Sequence, residues 1–222
     1  MRYLNKIVFI NSAAIRYSEV QLDGNIHLIG TQGVGKSTIL RAILFFYNAD
    51  TQRLGIPVEK KSYQDYYFPY ADSSIIYEVA REDGWFTVLS YKTMNRICYR
   101  FIASPYRPDL FIDEEGAPYP SDRIRSVLDK NGIKYSGAIS TYEEYRNILY
   151  GNSDNKRDYS CYSLMESGSY QNIIRTIQNV LLNSRLEADY IKQTIITSLN
   201  EADSVIDLSR YRSHLSGFEA QL

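Results

Sequence analysis

Apolar residues occur in short runs over the first half of the chain, and their spacing predicts β-strands. The predicted strands cover residues 6–10, 15–22, 75–80, 85–91 and 97–103. Turn residues, Glu82-Asp83-Gly84 and Asn95, separate the last three strands, so we expect these strands to form an antiparallel meander. A further strand is predicted at residues 110–113.

A glycine-rich segment stands between a predicted strand and a predicted helix. The apolar run 25–29 follows the turn pair Asp23-Gly24, and Asp-Gly between two such runs is typical of a β-hairpin. From Ser37 onward apolar residues recur at helical spacing. The expected order is therefore strand, glycine-rich loop and helix.

Residues 51–72 form a polar stretch that contains Pro57, Pro69 and the pair Lys60-Lys61. This composition predicts a long loop or short irregular helices, with a candidate contact surface. Beyond the meander, amphipathic patterns predict short helices at 122–131 and 142–149.

The last third of the chain is predicted to be helical, because apolar residues from Ile173 to Leu199 keep helical spacing. Between Leu208 and Leu222 they repeat at alternating steps of three and four, which is typical of a coiled-coil seam. An amphipathic helix packed on its own domain would show the same spacing. Because the pattern meets no stop signal, we expect a main domain at 1–200 and the start of a coiled-coil arm at 201–222.

Composition is ordinary for a globular protein, with 44% hydrophobic and 23% charged residues. The net charge of -1 provides no overall attraction to nucleic acid, so contact with DNA would need a local patch. Cys98 and Cys161 have no CxxC partner, which predicts neither a zinc site nor a disulfide. No apolar stretch approaches the roughly 20 residues of a membrane span, and the start does not resemble a signal peptide, so we expect a cytoplasmic protein without membrane contact.

Residues 30–37 fit the pattern G-x-x-x-x-G-K-S/T, which binds nucleotide phosphates when it lies between a strand and a helix. Glycines let successive backbone N–H groups point inward around the phosphates, and the next helix adds partial positive charge. Lys36 would contact the β- and γ-phosphates, and the Ser37 hydroxyl would bind Mg²⁺. The candidate binding residues are Gly30, Thr31, Gln32, Gly33, Val34, Gly35, Lys36, Ser37 and Thr38, of which Thr38 also suits the start of the helix.

Hydrolysis would also need a carboxylate that holds Mg²⁺. Asp113 and Glu114 follow a short apolar run and could serve as metal ligand and base. The preceding Pro108 and the following Glu115-Gly116-Ala117-Pro118 favour a hairpin instead, so we assign no catalytic residue to this chain. His27 is interpreted as a structural histidine of the predicted strand, and His214 as a surface residue of the last helix.

The segment Asn25–Phe46, NIHLIGTQGVGKSTILRAILFF, resembles the strand, Walker A loop and first helix of SMC-type heads. These heads are the ATPase modules of structural maintenance of chromosomes proteins and of their MukB-like and Wadjet JetC-like relatives. The two strands predicted before the loop also fit such a head. Residues 170–222 resemble the helical stretch by which a MukB-like head runs into its coiled-coil arm. The resemblance covers most of the chain, and its specific part is the Walker A segment.

This resemblance implies an α/β P-loop NTPase fold, namely an ABC/SMC-type half head with an antiparallel β meander and C-terminal helices leading into a coiled coil. In that family a C-terminal half supplies the signature motif and the Walker B carboxylates, and two heads enclose two ATP molecules. The chain would then hydrolyse ATP with Mg²⁺ only when completed. The implied partners are the C-terminal half of the same head, a second head in an ATP-dependent dimer, DNA and kleisin-like subunits. The implied role is chromosome organisation, repair or defence against foreign DNA.

Two further residues take candidate roles from the same resemblance. Arg53 lies where such heads place an arginine near the nucleotide and DNA, and Gln171 matches the Q-loop glutamine that contacts Mg²⁺. An exposed loop arginine and a helix-surface glutamine are the alternative interpretations. Two other functions fit the sequence as well. One is a self-contained P-loop NTPase or kinase that uses Asp113 and Glu114, and the other is a nucleotide-dependent protein-interaction module.

Overall fold

The computed structural model describes residues 3–24, 26–48, 50–51, 54, 56, 59–93, 96–151 and 159–164. The chain divides into two units, Met1–Leu182 and Asn183–Leu222, and every described residue lies in the first. Several predictions fall outside the described residues. They are the helical last third, the coiled-coil seam at 201–222, Arg53, Gln171 and His214.

Five antiparallel strands form one sheet, in the order β2-β1-β3-β4-β5. They are β1 (Tyr3–Ser12), β2 (Ile15–Gln21), β3 (Ser74–Arg81), β4 (Gly84–Thr93) and β5 (Arg96–Ile102). All five strands first predicted from the apolar runs are confirmed, and β3, β4 and β5 form the expected antiparallel meander. Gly84 supplies the tight turn between β3 and β4 with a φ of 146°.

The helices also lie where the sequence predicts them. They are α1 (Lys36–Asn48), α2 (Tyr63–Tyr67), α3 (Ser121–Lys130) and α4 (Tyr142–Leu149). The short helix α2 falls within the polar stretch 51–72, for which a loop or short irregular helices are predicted. Two 3-10 helices, Pro108–Leu110 and Ser160–Tyr162, complete the described elements.

The central strands are apolar on both faces because helices pack on each side of the sheet. On one face, Ile7, Tyr77 and Phe101 belong to a first core cluster with side chains of α1, α2 and α4. On the other face, Val8, Ile76 and other strand residues form a second cluster with α3 and the Pro108–Leu110 helix. In the edge strand β2, half-exposed and exposed residues alternate from Tyr17 to Gln21, whereas Arg16 and Tyr17 are both exposed.

Two strand predictions are wrong. Residues 26–29 have no regular structure, and in the described part of the chain no strand lies beside them. Gly24 makes a turn with a φ of 90°, but the chain does not return along β2, so no hairpin forms. A strand needs a neighbour for its N–H and C=O groups, and apolar character alone does not supply one. Similarly, the strand at 110–113 is reduced to a single bridge between Ile112 and Pro118.

Tyrosine hydroxyl groups tie α1 to the elements around it. Four of them donate hydrogen bonds to carbonyl oxygens of this helix. The pairs are Tyr67 with Thr38 at 2.8 Å, Tyr77 with Ala42 at 3.1 Å, Tyr145 with Phe46 at 2.6 Å and Tyr150 with Tyr47 at 2.7 Å. The donors belong to α2, to β3, and to α4 and the residue that follows it, so three other elements hold α1.

Two of these hydrogen bonds satisfy the end of the helix. The last four carbonyl groups of a helix have no partner within it, and α1 ends at Asn48. Phe46 and Tyr47 are among these last residues, and the hydroxyl groups of Tyr145 and Tyr150 supply the missing donors. The packing of α4 against the end of α1 therefore supplies hydrogen-bond donors that α1 itself lacks. The sequence pattern of either helix alone does not predict this contact.

Burial keeps three of these four phenols protonated and able to donate. Removal from water raises the pKa of Tyr77 and of Tyr145 well above the ordinary value. Burial also raises the pKa of Tyr67. The hydrogen bonds that Tyr67, Tyr77 and Tyr145 donate are thus independent of pH in the neutral range.

The hydroxyl of Tyr145 gives a direct test of the helix-end contact. Tyr145→Phe removes the donor and leaves the buried Phe46 carbonyl group without it, so the free energy of unfolding should fall by about 1–3 kcal/mol. Urea denaturation measures this change. Tyr142→Phe is the matched control, because Tyr142 is exposed on the same helix and its change should stay within about 0.5 kcal/mol. Equal stabilities for the two variants would contradict the assignment.

The raised tyrosine pKa values also predict a loss of stability at alkaline pH. The unfolded chain releases phenol protons near pH 10, whereas the folded protein retains those of Tyr77 and Tyr145 to higher pH. Stability should therefore be fully present below about pH 10 and fall above it, by about 1.4 kcal/mol per pH unit for each buried tyrosine. Denaturation midpoints measured from pH 8 to about pH 11 should show this slope. Tyr145→Phe should reduce the slope, and a slope unchanged in this variant would contradict the assignment.

Candidate functional site

The glycine-rich segment forms a loop whose shape depends on two glycines. Gly33 and Gly35 have φ angles of 91° and 94°, in the left-handed region that costs other residues about 1–2 kcal/mol. These two turns bring the backbone from Gly30 round to the start of α1. The expectation that glycine permits the loop conformation is supported at both positions.

The loop passes directly into the N-terminus of α1. The N–H groups of Thr38 and Ile39 both donate to the Gly35 carbonyl oxygen, at 3.0 and 3.1 Å. Helical hydrogen bonding therefore begins at Thr38, and the N–H groups of Lys36 and Ser37 precede it. Such groups, with the positive end of the helix dipole, favour an anion at this position.

Lys36 folds back over the loop. Its Nζ donates to the carbonyl oxygens of Gly30 at 2.5 Å and Thr31 at 2.7 Å. These two hydrogen bonds hold the ammonium group against the loop. Lys36 lines the same cavity as Ser37 and Thr38, which belong to the first turn of α1. An anion seated there would meet a fixed positive charge and the backbone N–H groups together.

A cavity of about 690 Å³ opens at this loop. Six of the predicted binding residues line it, namely Gln32, Gly33, Gly35, Lys36, Ser37 and Thr38. The Gly30 and Thr31 carbonyl groups contribute indirectly, through Lys36. The Val34 side chain does not line the cavity and is exposed. The structure thus brings most of the motif to one concave surface.

Residues from outside the motif form the rest of the wall. Ile56, Lys60, Lys61, Tyr66 and Tyr67 come from the segment after α1, and Arg41 comes from α1 itself. The sequence singled out the Lys60-Lys61 pair only as part of a candidate contact surface. Tyr66 carried no signal of its own, because it is one of 21 tyrosines in the chain.

The charge of the cavity is one-sided. Lys36, Arg41, Lys60 and Lys61 place four cationic side chains on its wall, and none of the described residues that line it is acidic. A concave wall of one sign concentrates the field and attracts ligands of opposite charge. The arrangement therefore suits a polyanion of about the size of a small organic molecule, since such sites measure roughly 300–1,000 Å³.

The candidate carboxylates Asp113 and Glu114 lie elsewhere. Asp113 occupies a turn, where its Oδ1 accepts hydrogen bonds from the N–H groups of Glu115 at 3.1 Å and Ala117 at 2.7 Å. The turn of the predicted hairpin is thus confirmed, although its strands are reduced to the single bridge between Ile112 and Pro118. The nearby Phe111 packs in the second core cluster, on the face of the sheet opposite α1. Neither Asp113 nor Glu114 lines the cavity.

Histidine and possible metal ligands are the other groups that could take part in chemistry. His27 is exposed in the irregular segment before the loop, so its interpretation as a structural histidine within a strand is wrong. Among the residues that the structure describes, no group of three or more His, Cys, Asp or Glu side chains could hold a metal ion. Of Ser37 and Gln171, the two residues predicted to contact Mg²⁺ beside the nucleotide, only Ser37 lies in the described part of the chain.

Together, fold and site define a domain in which helices cover both faces of an antiparallel sheet and a cation-lined cavity opens at a glycine-rich loop. The chain belongs to the family described as Protein of unknown function (DUF3584), whose model matches residues 12–215. No curated protein matches the sequence. Within the described residues, no helix combines the length and the apolar character that crossing a membrane requires.

Proposed function

We propose that this protein binds ATP through the loop 30–37, as the N-terminal half of an SMC-like ATPase head. The observation that carries the proposal is the combined geometry of the loop. Two glycines with positive φ, a lysine folded over the loop and the first turn of α1 meet at one cavity lined by cations. No other described part of the chain offers this combination.

The residues of the loop take distinct roles in this proposal. The N–H groups before Thr38 would surround the phosphates, and the Lys36 ammonium group would leave the Gly30 and Thr31 carbonyl oxygens to pair with the β- and γ-phosphates. Thr38 is mostly buried in the first turn of α1, which fits a helix-start residue that shapes the pocket. Arg41 adds positive charge one turn further along α1.

Mg²⁺ fits the site only in part. Ser37 is exposed and lines the cavity, so its hydroxyl could coordinate the ion together with the ATP phosphates and water. A bound Mg²⁺ would neutralise phosphate charge. None of the described lining residues is a carboxylate, although phosphoryl-transfer sites use one to hold the metal. The chain would therefore bind the nucleotide and need a carboxylate from elsewhere to hydrolyse it.

The segment before the loop supports completion by a second half. Ile26 and Ile29 are exposed, and 91% of the Ile29 surface is accessible. Apolar β-branched residues in a strand-like run favour pairing within a sheet, yet no described strand lies beside them. A strand added by the C-terminal half would cover this run and bring a carboxylate close to the loop. A self-contained enzyme that uses Asp113 and Glu114 lacks such support, since both lie away from the cavity.

An SMC-like head of this kind would form an ATP-dependent dimer with a second head and act with kleisin-like subunits on DNA, in chromosome organisation, repair or defence against foreign DNA. The cations that line the cavity would provide a local patch for DNA in a protein whose net charge is only -1.

Lys36 provides the first test. Lys36→Ala removes the ammonium group that meets the phosphates, so ATP affinity measured by calorimetry should fall at least about tenfold, or 1.4 kcal/mol. Lys130→Ala is the matched control, because Lys130 is exposed at the end of α3 and does not line the cavity. It should leave the affinity unchanged. Equal affinity of Lys36→Ala and the unaltered protein would refute ATP binding at this loop.

Hydrolysis and dimerisation test the half-head proposal. The chain alone should release no more phosphate from ATP than its Lys36→Ala variant does, because the cavity wall offers no carboxylate among the described residues. When a C-terminal half carrying a hydrolysis-blocking change is added, light scattering should show a dimer that requires ATP. Turnover by the chain alone, or joined halves that stay monomeric with ATP, would count against the proposal.

A further inference from the structure

The cavity has a second wall that the phosphate-binding motif does not account for. Lys60, Lys61 and Tyr66 form it, from the segment that joins α1 to β3. The loop and Lys36 line the same cavity. A volume of about 690 Å³ leaves space beyond a row of phosphates, within the range of about 300–1,000 Å³ that holds whole organic ligands.

Tyr66 stands at this wall with its ring partly open to the cavity. The residue is 39% exposed, and its hydroxyl lies 3.3 Å from the Thr38 Oγ1. Thr38 directly follows the proposed Mg²⁺ ligand Ser37, so the ring stands within reach of a nucleotide seated on the loop. An exposed aromatic ring held in one orientation is a suitable surface for a flat ligand.

Neighbouring contacts fix the orientation of the ring. Tyr66 packs against Tyr67 with ring centroids 5.0 Å apart and planes at 82°. Tyr67 is itself anchored, because its hydroxyl donates to the Thr38 carbonyl oxygen at 2.8 Å. Tyr63, one turn earlier, stacks on Phe45 of α1 at 4.4 Å. The aromatic side chains of α2 are thus attached to the same helix that begins at the loop.

The start of α2 is also fixed. The Ser62 Oγ accepts a hydrogen bond from the Asp65 N–H at 3.1 Å, which caps the helix. Asp65 in turn pairs with Lys92 of β4 at 3.6 Å. Little ordering would then be needed when a ligand meets Tyr66, and preorganisation of this kind reduces the entropic cost of binding.

We propose that Tyr66 stacks on the purine base of the bound nucleotide, while Lys60 and Lys61 add positive charge that attracts the anionic nucleotide into the cavity. This inference rests on the proposed ATP binding and extends it: the site recognises a purine nucleoside triphosphate as a whole, with the phosphates on the loop and the base on α2. Stacking on an aromatic side chain tolerates either purine, so ATP and GTP both fit, and a bare triphosphate loses the contact.

The test measures binding affinity, first for different ligands on the unaltered protein and then for variants of Tyr66. Calorimetry should show that ATP and GTP bind the unaltered protein about ten- to a hundredfold more tightly than inorganic triphosphate does. Tyr66→Ala should remove most of this advantage and leave the affinity for triphosphate unchanged. Tyr66→Phe keeps the ring and should keep the advantage. Tyr70→Ala is the matched control, because Tyr70 is 61% exposed just beyond α2 and does not line the cavity.

The outcomes separate the two proposals. If neither triphosphate nor ATP binds, the proposed phosphate site itself is wrong. If triphosphate binds in a manner that requires Lys36 but ATP binds no more tightly, the phosphate site stands and the stacking proposal is overturned. A loss of both ligands in Tyr66→Ala, with both retained in Tyr66→Phe, would likewise overturn it, because the ring would then support the loop instead of contacting the base.

Discussion

The position of α1 on the sheet is the constraint on which the described structure depends. Hydrogen bonds from Tyr67, Tyr77, Tyr145 and Tyr150 to its backbone fix the helix along its length and at its end. Each donor is buried among apolar side chains, where a hydrogen bond is costly to leave unmade. Any shift of α1 would therefore break several hydrogen bonds at once. Because the glycine-rich loop leads directly into α1, these hydrogen bonds also fix the position of the loop.

The candidate site follows from that constraint. Tyr67 binds the Thr38 carbonyl oxygen and Tyr66 lies beside the Thr38 hydroxyl, so the same contacts that hold α1 also bring α2 to the glycine-rich loop. The segment with Lys60 and Lys61 directly precedes α2, so it adds a second wall and two of the four cationic side chains to the cavity. The contacts that hold α1 and α2 together in the core therefore also bring together the residues of the candidate site.

Prediction from the sequence succeeded where local periodicity decides the structure. The strands β1 to β5 and the helices α1, α3 and α4 follow from alternating or helical spacing, which each segment carries within itself. It failed at residues 26–29, where the apolar run is strand-like but the described chain offers no neighbour to pair with it. The segment around Asp113 was correctly interpreted as a turn, because Pro108 and Gly116 act locally on the backbone.

The sequence by itself determined the loop. Gly33 and Gly35 permit its turns, Lys36 reaches back over it, and the helix begins where apolar spacing starts, all within a few residues of one another. Only the tertiary structure decided what faces the loop. Thr38 and Tyr66 are 28 positions apart, and Phe46 and Tyr145 are 99 apart, so no local pattern encodes their contact. Such pairs are selected by the packing of the whole sheet and its helices, because burial of the rings and pairing of their hydroxyl groups are satisfied together in one arrangement.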